Sequence, residues 1–577
     1  MNESKEAYMF PTSKKEVDAL GWDYIDVILF TGDAFVDHPS FGTACIARWL
    51  QKWGWRVAVV PQPNWRDDLR DFKKLGTPRL YFGVNAGAMD SMVNHYTASK
   101  RLRHDDAYTP DAKFGQRPDR AVTVYTKILK ELYPDVPVII GGVEASLRRL
   151  THYDYWDDCL MPSILVSSGA DYLCYGMGEK PMLEFTKGIE AGRSLHDMHK
   201  IPQLGFYMSG KPKIREGMLE LHSFEECRRD KRAFAENFHH IETQANMMHP
   251  DTIIECCGDG YVQINPPYPP SSQEDMDSFW DLPFTKLPHP RYKGKRIPAY
   301  DMIKYSINTH RGCFGGCNFC TIAAHQGKFI QSRSEESIVK EVKGLLSVPG
   351  FAGNISDLGA PTANMYGMKG KNPALCDVCR RKSCLFPAPC PNMNRSHERV
   401  LKMYHKVMSV KGIRHAYIGS GIRYDLFLNE DGFVDKTSYP YLKKLILDHT
   451  SGRLKVAPEH TEDNVLYYMG KPSFKLFCRL RKEFDKITAE AGLRTGIVPY
   501  FISSHPGCHM SDMQKLASNP ALKGIYMDQV QDFTPTPMTT SSVMFYSGLD
   551  PRTMKPVFTE HNPDKKKMQK SFFFKKK

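Results

Sequence analysis

Apolar and polar positions along this chain follow two rhythms in turn: short unbroken apolar runs, and longer stretches with an apolar residue every three or four positions. In the first part, apolar runs at 24–30, 56–61, 79–83, 138–142 and 172–176 predict buried strands, and 41–50 carries the spacing of an amphipathic helix. Strands that alternate with helices predict an α/β fold with a doubly wound parallel sheet over roughly 20–210. Ligands of that fold sit beyond the carboxyl ends of the strands. The second half repeats the rhythm six times, with strands expected at 303–309, 354–359, 415–420, 453–458, 496–503 and 525–532. Six such units predict a partial (β/α)6 barrel whose active face is built from the loops that follow the strands. Between the halves, 211–298 reads as a connector, because Pro266, Pro267, Pro269, Pro270, Pro288 and Pro290 interrupt any regular helix or central strand.

Composition narrows the class. A chain of 577 residues exceeds what one core can organise, and 41% hydrophobic content suffices for ordinary globular packing. No run of 18 apolar residues occurs, and Met1-Asn2-Glu3-Ser4-Lys5-Glu6 has no apolar signal core, so the expectation is a soluble cytoplasmic protein with no membrane partner. In that compartment 15 cysteines are reduced ligands and buried thiols, not a disulfide framework. The formal charge of +13 suggests nucleic acid until its distribution is seen, for Lys565, Lys566, Lys567, Lys570, Lys575, Lys576 and Lys577 supply much of it. Residues 549–577 are therefore expected to be a solvated basic tail, and nucleic acid is weakly supported as a partner. Phe572, Phe573 and Phe574 within it are a weak membrane anchor, with docking onto the folded body as the other reading.

The sharpest chemical signal is Arg311-Gly312-Cys313-Phe314-Gly315-Gly316-Cys317-Asn318-Phe319-Cys320, on a loop between a strand and a helix that Ser334 caps. Three thiolates spaced in this way can hold three irons of a 4Fe-4S cluster and leave the fourth iron open. An incomplete zinc site or three unligated thiols are the bland alternatives. A second group, Cys376, Cys379, Cys384 and Cys390, lies in a Gly-, Lys- and Pro-rich insertion at 365–395 and suits either zinc or an auxiliary iron-sulfur cluster, with closed zinc preferred.

Cys313, Cys317 and Cys320, with Ser306-Ile307 before them and His325-Gln326-Gly327 and Ser332-Arg333-Ser334 after, resemble the YgiQ family of radical S-adenosylmethionine (SAM) proteins, over about 24–560. The resemblance implies that SAM binds the open iron, that an electron donor such as flavodoxin or ferredoxin reduces the cluster, and that a 5′-deoxyadenosyl radical abstracts hydrogen from an unknown substrate. It also implies SAM-binding roles for Gly359 and Ala360 after the second barrel strand, where Ala360 replaces a second glycine, and for Glu459 after the fourth. Arg423, after the third strand, is a candidate for a SAM or substrate carboxylate. For Glu459 the competing role is a helix N-terminal acid, and for Arg423 a rim salt bridge.

The N-terminal sheet resembles the Rossmann-like cobalamin-binding domain of one class of these enzymes, with Gly141-Gly142 and Gly176-Met177-Gly178 at strand ends. Asp37-His38-Pro39-Ser40-Phe41-Gly42 departs from the D-x-H-x-x-G motif that supplies a lower histidine, so a domain without cobalamin is favoured. The expected organisation is an N-terminal extension at 1–23, the Rossmann-like domain at 24–210, the connector, the barrel at 299–548 and the tail. A methyltransferase or methylthiotransferase acting on RNA or protein is the alternative within the class. A metal-stabilised RNA-binding or scaffold protein is the alternative outside it.

Overall fold

The computed structural model describes residues 9–574 apart from 526 and 528. The first eight residues of the expected extension, Lys575 to Lys577 of the tail and two positions of the strand expected at 525–532 lie outside the described residues. The chain forms two compact units, the first comprising Met1–Ala233, His249–Pro269 and Ser278–Lys304, the second Phe234–Met248, Pro270–Asp277 and Tyr305–Lys577.

In the first unit the apolar runs become β1 (Val27–Thr31), β2 (Val57–Pro61), β3 (Tyr81–Asn85), β4 (Val138–Ile140) and β5 (Tyr172–Cys174), buried almost throughout. They pair in parallel in the order β2-β1-β3-β4-β5. Burial on both faces explains why they read as continuous apolar runs rather than alternating ones. The strand order reverses at β1, with β2 on one side and β3 on the other, and this is where a doubly wound sheet opens a crevice.

The expected connector is corrected by the structure. Four further strands, β6 (Leu204–Met208), β7 (Met218–Glu220), β8 (Thr252–Cys257) and β9 (Gly260–Ile264), extend the sheet to nine, in the order β7-β8-β9-β6-β5-β4-β3-β1-β2. β8 and β9 form a hairpin around Gly258-Asp259, and β9 alternates buried with half-buried positions. The prolines at 266–270 follow β9, so they end the sheet edge without interrupting it. The segment at 234–248 folds with the second unit instead, where Glu242 pairs with Lys382 at 2.5 Å.

The second unit carries parallel strands β10 (Ser306–Asn308), β11 (Asn354–Ile355), β12 (Asp357–Gly359), β13 (His415–Ala416), β14 (Arg453–Glu459), β15 (Gly496–Ser503) and β16 (Gln529–Asp532). β11 and β12 are one kinked passage. Its first part pairs with β13 and its second with β10, while β14, β15 and β16 form a ladder. The helix at Glu335–Leu345 begins where Ser334 accepts a hydrogen bond from the Ser337 amide, the cap that the sequence signals.

The solvated tail is a second correction. Pro563–Ser571 is a helix, Phe572 and Phe573 join the barrel core, and Gln569 accepts from the Ser504 amide at 3.1 Å. Lys565 and Lys567 face water while Lys566 is buried, and Phe572 and Phe573 bury the apolar surface that decides the conformation. Among the described residues no helix is long and apolar enough to cross a membrane. The Phe573 ring lies 5.7 Å from that of Phe501 at a tilt of 41°, so Phe573→Ala should destabilise the protein by about 3 kcal/mol, read as a lower urea midpoint. An unchanged midpoint would mean that the helix rests on the barrel without supporting it.

Candidate active site

The triad loop leaves β10 at its carboxyl end and is gripped by its surroundings. At Gly316, with φ +64°, an added Cβ would stand 2.6 Å from the Ser383 Cβ, so glycine is required both by conformation and by contact. Ser383 Oγ lies 2.7 Å from the Gly315 carbonyl oxygen, and the Cys384 amide donates to the Phe314 carbonyl at 3.0 Å. On the other side, the Asn318 amide donates to the Met469 carbonyl at 2.9 Å and the Asn318 side chain to the Tyr468 carbonyl at 2.7 Å, at the end of the helix Asp463–Met469. Phe314 itself is sunk among Met365, Met368, Leu385, Met393 and Leu426.

Charge is arranged around the three thiols. Arg423 Nη1 donates to Cys317 Sγ at 3.1 Å, and Thr362 Oγ1 lies 3.4 Å from Cys313 Sγ. Burial, then the charges of Cys317 and Cys313, push the Cys320 thiol up to about 12, and burial raises Cys313 despite Thr362. A metal must displace these protons, so loading is favoured as pH rises. Among the described residues no three or more His, Cys, Asp or Glu side chains converge on a single ion. A cube asks for a different arrangement, since each sulfur ligates its own iron. Three thiols on one loop, with a guanidinium and a hydroxyl beside them, fit such a group.

Arg423 takes the ion-pair alternative of the two roles expected for it. Its fork is taken by Asp425, with Nε to Oδ1 at 2.9 Å and Nη2 to Oδ2 at 2.5 Å, and its remaining donor faces the Cys317 sulfur, so it is not free to clamp a carboxylate. Asn364 holds the Arg423 backbone on both sides, accepting from its amide and donating to its carbonyl, each at 2.9 Å. Glu459 ends β14 in the left-handed region at φ +67°, a strained conformation for a non-glycine residue. Burial pushes its carboxyl up against the pull of Lys471, 3.8 Å away, and of Arg423, and its charge bears on Cys320. It is not a helix cap, since the next helix starts at Asp463 after Glu462. Gly359 and Ala360 lead from β12 towards Thr362, and Ala360 does not need a positive φ. Thr362, Asn318, Asp425 and Lys471 were not singled out from the sequence. Asn318 lies inside the cysteine motif, Asp425 two residues after Arg423 and Thr362 three after Gly359, whereas nothing in the sequence marks Lys471.

Cys376, Cys379, Cys384 and Cys390 are all half-buried in the insertion, and Cys384 abuts the triad loop through the Phe314 carbonyl.

The crevice of the first unit is filled by its own chain. Beyond the ends of β1 and β3, Arg117 is fully buried, paired with Asp106 at 3.0 Å and with Asp33 at 2.9 Å, and it donates to the Ala86 carbonyl at 2.9 Å. At Gly87, φ +105°, an added Cβ would stand 2.1 Å from the Asp33 carboxylate. His38 is 1% exposed, with Nδ1 accepting from the Ser40 amide, and Asp37 is paired with Arg48 at 2.5 Å. These residues do not fit a corrinoid at the strand ends.

Comparison with known proteins places this geometry in a lineage. A family described as Radical SAM N-terminal matches residues 9–306, and a Domain of unknown function (DUF3362) matches residues 528–576. A UPF0313 protein of Bacteroides thetaiotaomicron is 53% identical, over 100% of this chain and 95% of the relative. The UPF0313 protein YgiQ of Escherichia coli K12 is 42% identical, over 94% of this chain and 80% of the relative. Among solved structures, the radical S-adenosylmethionine methyltransferase TsrM from Kitasatospora setae, with cobalamin and a 4Fe-4S cluster bound, is similar with a TM-score of 0.50. It is 14% identical, with 90% of this chain and 74% of that chain covered, which makes the likeness one of fold.

Two outcomes are expected. Arg423→Met strands the buried Asp425 carboxylate and should cost roughly 3 kcal/mol in thermal or urea unfolding, most of it recovered when Asp425→Leu is added; equal stabilities for parent and single variant would deny the pair its role. Protein incubated with hydroxocobalamin and desalted should retain no corrinoid absorbance, whereas retention near one equivalent per chain would show that the crevice opens.

Proposed function

This chain belongs to the UPF0313 family and is a radical SAM enzyme, and from that premise we propose that it cleaves S-adenosylmethionine reductively at the Cys313, Cys317 and Cys320 loop to initiate hydrogen abstraction from a substrate. One observation carries the reading: a three-cysteine loop at the carboxyl end of the first barrel strand, met there by Arg423, which follows the third strand, and by Glu459 of the fourth. Cys313, Cys317 and Cys320 would hold a 4Fe-4S cluster, whose chemistry would be the one-electron reduction that splits bound SAM into methionine and a 5′-deoxyadenosyl radical.

The chain's own residues prepare the site. Cys313, Cys317 and Cys320 would hold three irons, and the Arg423 guanidinium, beside Cys317 Sγ, would offset the negative charge that a ligating sulfur carries. Because Asp425 occupies the rest of the fork, the guanidinium cannot swing away from the sulfur. Thr362 orders Cys313 from the segment that Gly359 and Ala360 begin, so the backbone proposed to meet the SAM amino group and a cluster ligand move together. Glu459 is positioned for a SAM amino or ribose hydroxyl group, with Lys471 holding its carboxylate in place. The electron is proposed to come from a small donor of the flavodoxin or ferredoxin kind.

Anaerobically reconstituted protein with dithionite should release 5′-deoxyadenosine from SAM, and Cys317→Ala should reduce that release at least a hundredfold, about 2.7 kcal/mol. A variant that releases it as fast as the parent would remove the triad from the reaction.

A further inference from the structure

The insertion between β12 and the helix Glu398–Met408 carries a second thiol set whose surroundings the proposed reaction does not use. Lys328, from the chain that leaves the triad loop, is only 3% exposed. Its ammonium meets the Arg381 carbonyl and points at Cys379 Sγ, 4.0 Å away. An ammonium withdrawn from water needs negative charge nearby, and neutral thiols do not provide it. Metal-bound thiolates do. Asn392 Nδ2 donates to Cys376 Sγ at 3.4 Å, the kind of hydrogen bond that a ligating sulfur accepts, and the Cys390 amide donates to the Cys384 carbonyl at 2.8 Å, closing the loop between two of the cysteines.

We propose that Cys376, Cys379, Cys384 and Cys390 ligate a second iron-sulfur cube, with Lys328 as its counter-charge, and that this centre clasps the triad loop. A closed zinc site, which would tie down the insertion with the same four sulfurs, is the outcome that the test below separates from a cube. A cube takes one sulfur per iron, and four thiols with a buried ammonium beside them match both its ligand count and its charge. The clasp follows from the residues next to the ligands: Lys382 Nζ donates to Asn318 Oδ1 at 2.6 Å, Ser383 seats against Gly315 and Gly316, and Cys384 donates its amide to Phe314. Phe314 in turn shares an apolar cluster with Leu385 and Met393, and Cys384 and Cys390 pack against that cluster.

The test isolates this centre from the reaction proposed above. In a Cys313→Ala, Cys317→Ala, Cys320→Ala variant, anaerobic reconstitution should leave about four irons and four sulfides per chain, one cube, with visible sulfur-to-iron absorption. One zinc per chain without iron, or no metal, would overturn the assignment whether or not the triad cleaves SAM. Lys328→Gln, made in that same triple variant, should leave the iron bound but make the cube about tenfold harder to reduce at a fixed potential, followed by electron paramagnetic resonance; an unaltered titration would remove Lys328 as the counter-charge. For the clasp, Cys376→Ala, Cys379→Ala in the otherwise native chain should lose its remaining iron to a chelator about tenfold faster than the triad iron leaves the parent. Equal rates would leave a second centre that does not support the first.

Discussion

A positive charge fixed beside the sulfur of a half-buried cysteine loop is the interaction on which the second unit's site depends. Cys317 receives a guanidinium proton at 3.1 Å, and the same guanidinium is pinned by Asp425 and by the Asn364 clamp on its backbone. The Asp425 carboxyl shows how the balance falls: burial alone would raise it, yet Arg423 holds it below the ordinary carboxylate range. Such a pair contributes little net stability compared with an apolar replacement, and its value lies in fixing where a positive charge stands. The site thus spends fold stability on position. The strained backbone of Glu459 at the end of β14 belongs to the same pattern.

Much of this was legible in the chain. Apolar runs located β1 to β5 and the barrel strands to within a few residues, and the cysteine spacing located the loop, because both depend on neighbours in sequence. What escaped were partners set by the fold. Arg423 looked available for a ligand, and nothing in Ser420-Gly421-Ile422-Arg423-Tyr424-Asp425 reveals that Asp425, two residues on, turns back to occupy its fork. The hairpin at β8 and β9 was hidden by the prolines that follow it, although Gly258-Asp259 between two apolar runs is a turn signal. The tail misled because lysine content outweighed three phenylalanines in the reading, whereas burial depends on the face and not on the average.

The two units answer the same question of buried charge differently. In the second, cations are turned towards sulfur. In the first, Arg117 is spent on Asp33 and Asp106 at the strand ends where a doubly wound sheet ordinarily receives a ligand. A shared fold with a corrinoid-binding protein does not by itself imply the ligand, and here the strand ends are lined by an ion-pair network and by close packing at Gly87.

The interleaving of the chain bears on how this protein can be taken apart. Residues 234–248 and 270–277 fold with the barrel although the sheet claims what lies between them, and from the first of these Glu242 reaches Lys382, the side chain that holds Asn318 of the cysteine loop. From the second, Asp277 accepts the Ser334 amide at the start of the first barrel helix. A fragment begun at residue 299 would keep every cysteine ligand yet lose both carboxylates. No single scission yields an intact catalytic half, and the natural unit of dissection is the whole chain.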